Sequence, residues 1–190
     1  MATGNAGWSW LMGKIYGLVA RNPSSNREVV SEAQLKPGER VLDIGSGAGA
    51  ALKMAAEVVG PENVFGVDPT ASLASTAEKR IPGAKVAVAV AEDLPFPDDS
   101  VDVVWSIASF HHWEEPDAGL REVARVLAPG GRLLVAERLL RREGGHGLTP
   151  AEAENLSQRL ATLGFDDVEV VRRKAGRREM AIIKGRLPVA

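Results

Sequence analysis

The sequence predicts an α/β domain built around a mostly parallel sheet, with helices on both of its faces. Short runs rich in Val, Ile and Leu alternate along the chain with segments of helical periodicity. These runs are apolar at nearly every position, as is typical of strands that are buried on both faces. Strands and helices that alternate in this way form parallel neighbours joined by right-handed connections.

Five of the apolar runs are predicted as parallel strands, and three helical segments lie between them. The predicted strands are 40–45, 63–68, 84–90, 101–106 and 132–137, and the predicted helices are 50–60, 72–81 and 118–131. Pro129 and the two glycines that follow it are expected to stop the last of these helices.

The pattern changes after Glu137, where a glycine-rich loop precedes one more helix and two more strands. Segment 150–164 is helical in pattern, with Thr149 as the candidate N-cap and a proline in its first turn. Strands 167–173 and 179–185 flank the turn-forming letters KAGR and are predicted to pair as an antiparallel hairpin. The complete sheet is therefore expected to have seven strands.

Composition and charge exclude several classes of protein. The 190 residues are 45% hydrophobic and 25% charged, which suits one globular domain, and a formal net charge of -2 gives no general attraction for nucleic acid or anionic lipid. The chain has no cysteine and three histidines, so we predict neither disulfides nor a metal site. No run of 18 apolar residues is present and Lys14 interrupts the apolar N-terminal stretch, so we expect a soluble cytoplasmic protein.

The first 25 residues are predicted as a helical lid attached to a core of residues 26–190. An apolar stripe at helical spacing comprises Trp8, Leu11, Met12, Ile15 and Val19. The letters ARNPSSN, residues 20–26, favour a turn after this stripe. The same stripe also suits ordinary core packing, which is the alternative to a lid.

The segment VLDIGSGAGA, residues 41–50, ends the first strand with three glycines at alternate positions. Without side chains at Gly45, Gly47 and Gly49, the backbone turns tightly or approaches a ligand closely. Parallel sheets bind ligands at the carboxyl ends of their strands, where this loop lies. The glycines also fit a dinucleotide fingerprint that ends at Ala50, but Asp43 would repel a pyrophosphate and attract a cation. The loop therefore favours a positively charged cofactor over a dinucleotide.

This loop and the segments after it resemble the class I S-adenosylmethionine-dependent methyltransferases. Residues 43–49 resemble motif I, and Asp68, nineteen residues after Gly49, resembles the acid that binds the ribose hydroxyls. AEDLPFPDDSVDVVWS resembles the adenine loop and fourth strand, HHW the loop after it, and EVARVLAPGGRLLV the helix, turn and fifth strand. The similarity spans residues 27–137 and is strongest to the small-molecule group that includes ubiquinone and menaquinone biosynthesis enzymes. It implies a Rossmann-like fold and methyl transfer to a small or lipophilic acceptor.

The resemblance also implies which residues bind S-adenosylmethionine. Asp43 would match the ammonium group of the methionine portion, and Asp68 would accept both ribose hydroxyls. Many family members carry an acid where this chain has Val90, so backbone N–H groups would meet the adenine instead, while Glu92 and Asp93 pointing into water is the alternative. The implied cofactor-binding residues are Asp43, Gly45, Ser46, Gly47, Gly49, Asp68, Pro69, Ala91, Glu92, Asp93, Ser106 and Ile107.

His111 and His112 are the candidate catalytic or acceptor-binding residues, because they follow the fourth strand and titrate near neutral pH. A base is needed only for a hydroxyl or protonated amine acceptor, since displacement at a sulfonium requires mainly alignment and exclusion of water. Neighbouring side chains are expected to diverge, so that one of the two faces the site, and packing with Trp113 is the alternative. Glu137 is a weaker candidate.

Two other functions fit the same pattern. One is a catalytically inactive, cofactor-binding partner subunit of this fold, which the valine at position 90 and the short acceptor walls would suit. The other, less favoured, is an NAD-dependent dehydrogenase, which the glycine spacing alone permits.

Overall fold

A computed structural model describes residues 23–189 of the chain, so the predicted lid helix lies outside the described residues. The strands are β1 (Val41–Ile44), β2 (Val64–Val67), β3 (Lys85–Ala87), β4 (Val101–Ile107), β5 (Leu127–Arg138), β6 (Asp166–Ala175) and β7 (Arg178–Arg186). The α-helices are α1 (Pro23–Ala33), α2 (Ala50–Val59), α3 (Ala71–Arg80), α4 (Pro116–Val126) and α5 (Pro150–Thr162). None of these helices is long and apolar enough to cross a bilayer.

The strands form one sheet in the order β3-β2-β1-β4-β5-β7-β6. The first five strands are parallel, and β7 pairs antiparallel with both β5 and β6. This confirms the predicted seven-stranded, mostly parallel sheet with its C-terminal hairpin. The chain runs outward from β1 to β3 and then crosses to β4 on the other side of β1. Ligands of such sheets bind at this reversal, beside the carboxyl ends of β1 and β4.

Helices cover both faces of the sheet, as predicted. On one face, α4 and α5 bury Leu120 and Leu156 in a hydrophobic core. On the other face, α1, α2 and α3 contribute Val29, Leu52 and Ala77 to a second core. Successive strand residues alternate between the two cores because side chains of a strand point to opposite faces. Both faces being covered explains why the strands read as unbroken apolar runs.

The structure places part of the predicted turn in a helix. Residues 23–26 of the stretch 20–26 belong to helix α1. Val29 and Ala33 of this helix are buried in the sheet's second core. The residues before Pro23 lie outside the described part of the chain, so the predicted boundary between a lid and a core stays a prediction.

Two other boundaries differ from the predictions. Helix α4 ends at Val126, before Pro129, which was expected to stop it, because Leu127 already pairs with Val101 in the sheet. Strand β3 covers Lys85–Ala87 and not 84–90, which leaves Val88 and Val90 exposed beyond its end. The predicted N-cap of α5 is confirmed, since Thr149 forms a capping box with Glu152.

Candidate functional site

The glycine loop turns the chain sharply between β1 and α2. Gly45, Gly47 and Gly49 have φ angles of 77°, 54° and 73°, and the first two N–H groups of the loop donate to the Val67 carbonyl at 2.9 and 3.0 Å. A Cβ on Gly45 would lie 2.3 Å from Ser109 Oγ, whereas a Cβ on Gly47 would meet nothing within 4 Å. Gly45 is thus required by packing, and Gly47 borders open space.

Asp68 follows β2 and lies beside the glycine loop. Its side chain is buried, with Oδ2 accepting from Gly47 N at 2.9 Å and Oδ1 accepting from Thr70 N at 2.8 Å. A carboxylate has about four acceptor positions, so each oxygen keeps room for one more donor. The two backbone bonds therefore hold this carboxylate ready for a ligand with two hydroxyl groups. Pro69, the next residue, is exposed.

Asp43 is buried inside β1, with Trp105 opposite it on β4 and Gly66 opposite it on β2. Burial raises its pKa to about 7; the indole N–H of Trp105 opposes this shift, and the negative charge of Asp68 adds to it. The indole nitrogen itself is buried and completes no hydrogen bond among residues 23–189. A cation bound next to Asp43 would stabilise its charged form.

Ser46 lies between the glycine loop and β2. Its hydroxyl is buried and has no hydrogen-bond partner within the described part of the chain. A Cβ on Gly66 would lie 2.9 Å from this hydroxyl and 2.8 Å from Leu52 Cδ1, so the side chain faces β2 and α2. Ser46 therefore packs beneath the loop, and the open space at Gly47 borders the candidate ligand site.

The segment after β3 separates its three predicted residues. Ala91 is buried in the core, Glu92 accepts a hydrogen bond from Glu115 N at 3.1 Å, and Asp93 is exposed. Ala91 thus packs in the core, Glu92 contacts the start of α4, and Asp93 faces solvent. The exposure of Val88 and Val90 was not predicted, because the run 84–90 resembles a strand buried on both faces throughout.

The carboxyl end of β4 is tied to the glycine loop by a pair of serines. Ser106 is fully buried and its Oγ lies 2.8 Å from Ser109 Oγ, which donates to the Ile44 carbonyl at 2.7 Å. Ile107, at the end of the strand, is half-buried. Ser109 was not among the predicted residues, yet it joins the loop to the segment that carries His111.

A 3-10 turn, Phe110–His112, places three histidines together. His111 Nδ1 lies 2.9 Å from both carboxylate oxygens of Glu137, whose side chain is 1% exposed. His111 Nε2 lies 3.2 Å from Nδ1 of His146, which comes from the loop after β5. The rings of His111 and His112 are 4.0 Å apart, so the expected divergence is wrong. Neighbouring side chains point to opposite sides only where the backbone is extended, and these two histidines lie in a tight turn.

The histidine cluster lowers the pKa of one of its members. Partial burial lowers the pKa of His112, the neighbouring His111 and His146 lower it further, and Glu137 opposes them. Glu137 also accepts the backbone N–H of His111 at 3.2 Å, which fixes the turn against the end of β5.

A glycine loop after the first strand and an acid after the second, at the reversal of a seven-stranded sheet, define a class I methyltransferase. Residues 42–135 match the family described as "Methyltransferase domain". The chain belongs to the class I S-adenosylmethionine-dependent methyltransferase family. The dehydrogenase alternative is set aside, because this family accounts for the same glycines.

Three known proteins illustrate the similarity. The ubiquinone/menaquinone biosynthesis C-methyltransferase of Stenotrophomonas maltophilia is 35% identical over 148 residues, which cover 67% of this chain and 58% of that protein. A methyltransferase of Aquifex aeolicus superposes with a TM-score of 0.69 and 25% identity over 85% of this chain and 89% of its own. The protein solved with the Trm112 methyltransferase activator of Haloferax volcanii has a TM-score of 0.77 and 21% identity over 98% and 100%, and shows the fold alone. The chain spans about half the length of the curated relatives it matches.

Proposed function

We propose that this protein transfers a methyl group from S-adenosylmethionine to a small or lipophilic acceptor. The observation that carries the proposal is the arrangement of two acids around the glycine loop. Asp43 is buried with a raised pKa, and Asp68 is fixed by two backbone N–H groups with acceptor positions to spare. The cofactor offers what these groups complement, namely an ammonium group for the first and two ribose hydroxyls for the second.

Each part of the site has a role in this proposal. Asp68 accepts the two ribose hydroxyls in charge-assisted bonds worth about 1.5–3 kcal/mol each. Asp43 matches the ammonium group directly or through water. The exposed faces of Val88 and Val90 offer an apolar surface for the adenine, in place of the acid common in the family. The bound cofactor supplies the activated methyl group.

The acceptor is proposed to approach on the histidine side of the loop. Ser109 contacts the loop backbone at Ile44, and His111 follows only two residues later. Glu137 engages Nδ1 of His111, and Nε2 lies 3.2 Å from His146 Nδ1. An acceptor hydroxyl would replace His146 at Nε2, which can then orient or deprotonate it. We propose His111 as the main contact and His112, which is more exposed, as a secondary one.

A partner subunit without catalysis is the second candidate. The observation that favours it is Val90, a 46% exposed apolar side chain where many family members carry an acid for the adenine. Turnover separates the two functions. An active enzyme converts S-adenosylmethionine to S-adenosylhomocysteine when it is supplied with a mixed extract of small metabolites, and a partner subunit binds the cofactor without consuming it.

The cofactor assignment is tested by calorimetry and one substitution. S-adenosylhomocysteine should bind and NAD should not. Asp68→Asn should weaken binding tenfold or more, because two bonds of about 1.5 kcal/mol each exceed the roughly 1.4 kcal/mol that corresponds to one decade. Glu57→Gln, which removes an exposed carboxylate on α2, is the charge-matched control and should leave affinity unchanged. Equal affinities of the two variants would remove Asp68 from the site.

A further inference from the structure

We propose that His111, His112 and His146 bind a transition metal ion, with Zn²⁺ as the preferred occupant. Each histidine offers one ring nitrogen, and the three nitrogens all lie within 4.8 Å of one another. The proposal goes beyond the methyl transfer inferred above, which requires no metal. It also departs from the sequence prediction of no metal site, which was based on the small number of histidines.

The spacing of two of the nitrogens already suits a metal. Two imidazole nitrogens bound at about 2.0–2.1 Å to a tetrahedral ion lie roughly 3.3 Å apart. His111 Nε2 and His146 Nδ1 are separated by 3.2 Å. The nitrogen that His112 offers lies within 4.8 Å of the other two, so this exposed side chain would move closer to them to share one ion.

Glu137 prepares His111 as a ligand. Histidines that bind metals almost always donate their other ring N–H to a carboxylate, a carbonyl or water. His111 Nδ1 lies 2.9 Å from both oxygens of the buried Glu137 carboxylate, and in the tautomer that donates to Glu137 the lone pair of Nε2 is available to an ion. The cluster thus contains the outer carboxylate that orients a ligand, in addition to three possible ligands.

The loop that carries His146 is anchored at its base. Leu140 N donates to the Leu148 carbonyl and Leu148 N to the Arg138 carbonyl, each at 2.9 Å, which closes the segment between them. His146 itself is exposed on this loop, as His112 is on its turn. Solvent therefore reaches two of the three ligands, and an ion can enter without unfolding the site.

Ligand chemistry selects the class of ion. Three neutral imidazoles suit Zn²⁺, Ni²⁺, Co²⁺ and Cu²⁺, whereas Mg²⁺ and Ca²⁺ require oxygen ligands. Three histidines also leave a fourth tetrahedral position for water or an acceptor oxygen, as in catalytic zinc sites. With the ion bound, the lone pair of His111 Nε2 is used by the ion, so a hydroxyl acceptor would meet the ion's fourth position instead of this nitrogen.

The experiment measures metal binding by the untagged full chain. Calorimetry with Zn²⁺ and absorption spectroscopy with Co²⁺ should show one ion per chain, with the visible bands of tetrahedral Co²⁺. No histidine outside the cluster and no cysteine competes for the ion, because all three histidines of the chain belong to the cluster and the chain has no cysteine. His146→Ala and His112→Ala should each weaken binding by about tenfold or more, since each removes one ligand. Glu143→Gln, in the same exposed loop, should not change it.

Three results would overturn the proposal. They are the absence of Zn²⁺ and Co²⁺ binding, binding that His146→Ala and His112→Ala leave unchanged, and binding that Glu143→Gln abolishes. Circular dichroism of each variant establishes that it is folded, and S-adenosylhomocysteine affinity, measured separately, reports on the cofactor site. Loss of metal binding with intact cofactor binding therefore tests this site alone.

Discussion

Asp43 and Asp68 lie close together but have opposite environments. Asp68 accepts two backbone N–H groups, which fix the orientation of its carboxylate. Asp43 lies within a buried strand, and both burial and the charge of Asp68 raise its pKa to about 7. One acid is therefore fixed as a hydroxyl acceptor, while the other is protonated below neutrality until a cation arrives.

We expect cofactor binding to release a proton from Asp43. In the free protein its pKa of about 7 keeps it mostly protonated at pH 6. The ammonium group of the cofactor favours the carboxylate and lowers this pKa, so affinity should rise with pH up to about 7. Calorimetry of S-adenosylhomocysteine at pH 6, in buffers of different ionisation enthalpy, should show release of most of one proton. Asp43→Asn should abolish the release, and an unchanged proton count in that variant would contradict the assignment.

The raised pKa of Asp43 also makes the folding stability of the unliganded protein depend on pH. Since the folded pKa of Asp43 exceeds its ordinary value, its favourable contribution is complete below about pH 4 and is lost as pH rises through about 7. Above that pH the unliganded protein carries the full cost of a buried charge, which bound cofactor offsets.

Gly47 in the glycine loop and Gly38 before β1 allow the effect of a methyl group on cofactor binding to be separated from backbone strain. Gly47 and Gly38 both have positive φ, at 54° and 81°, and a Cβ on either would meet nothing within 4 Å. An alanine at either position should therefore destabilise the fold by about 1–2 kcal/mol, through backbone strain alone. Only Gly47→Ala places a methyl group where the cofactor is proposed to lie, so it should also weaken S-adenosylhomocysteine binding at least tenfold. If Gly38→Ala weakens binding equally, the open space at Gly47 is not the cofactor site.

The elements show where sequence patterns suffice and where they fail. The sheet and most helices follow from apolar periodicity, because both faces of every central strand are buried. The end of α4 does not follow from apolar periodicity. The letters LAPG have no strand pattern, and Leu127 joins the sheet only through its partner Val101. Helix α1 was missed because PSSN is typical of turns, and burial of Val29 outweighs that local preference.

The residues of the candidate site divide in the same way. Asp43, the glycines and Asp68 lie at strand ends, and the parallel order of the strands brings them together. The histidine cluster depends on His146, which is 35 positions from His111 and carried by a loop without periodicity. The loop after β5 brings His146 to the turn that carries His111, and no local sequence pattern predicts this long-range contact.

At the scale of the molecule, ion pairs fasten α1 to the C-terminal hairpin. Glu32 pairs with Lys184 and Arg173, both at 2.7 Å, and the hydrogen bond from Lys184 lowers its pKa. Arg132 donates to the Ala33 carbonyl at 2.8 Å and pairs with Glu39. The first described helix is thereby held to three strands that lie far along the chain.

This attachment supports a test of the predicted lid. Deleting residues 1–20 leaves α1 and its ion pairs in place, so the shortened protein should fold and bind S-adenosylhomocysteine. If the apolar stripe covers the acceptor, transfer activity should be lost because water reaches the sulfonium. Circular dichroism, calorimetry and turnover measure the three properties. Unfolding would show instead that the stripe belongs to the core, and full activity would place the acceptor site elsewhere.

The position of β7 between β5 and β6 affects the chain while it is being synthesised. Strand β5 leaves the ribosome some forty residues before β7, and its outer edge offers unpaired N–H and C=O groups until β7 arrives. Exposed edges of apolar strands pair readily with other chains. Nascent chains that stall before residue 178 would therefore be the form of this protein most prone to aggregate, and the ones with most need of a chaperone.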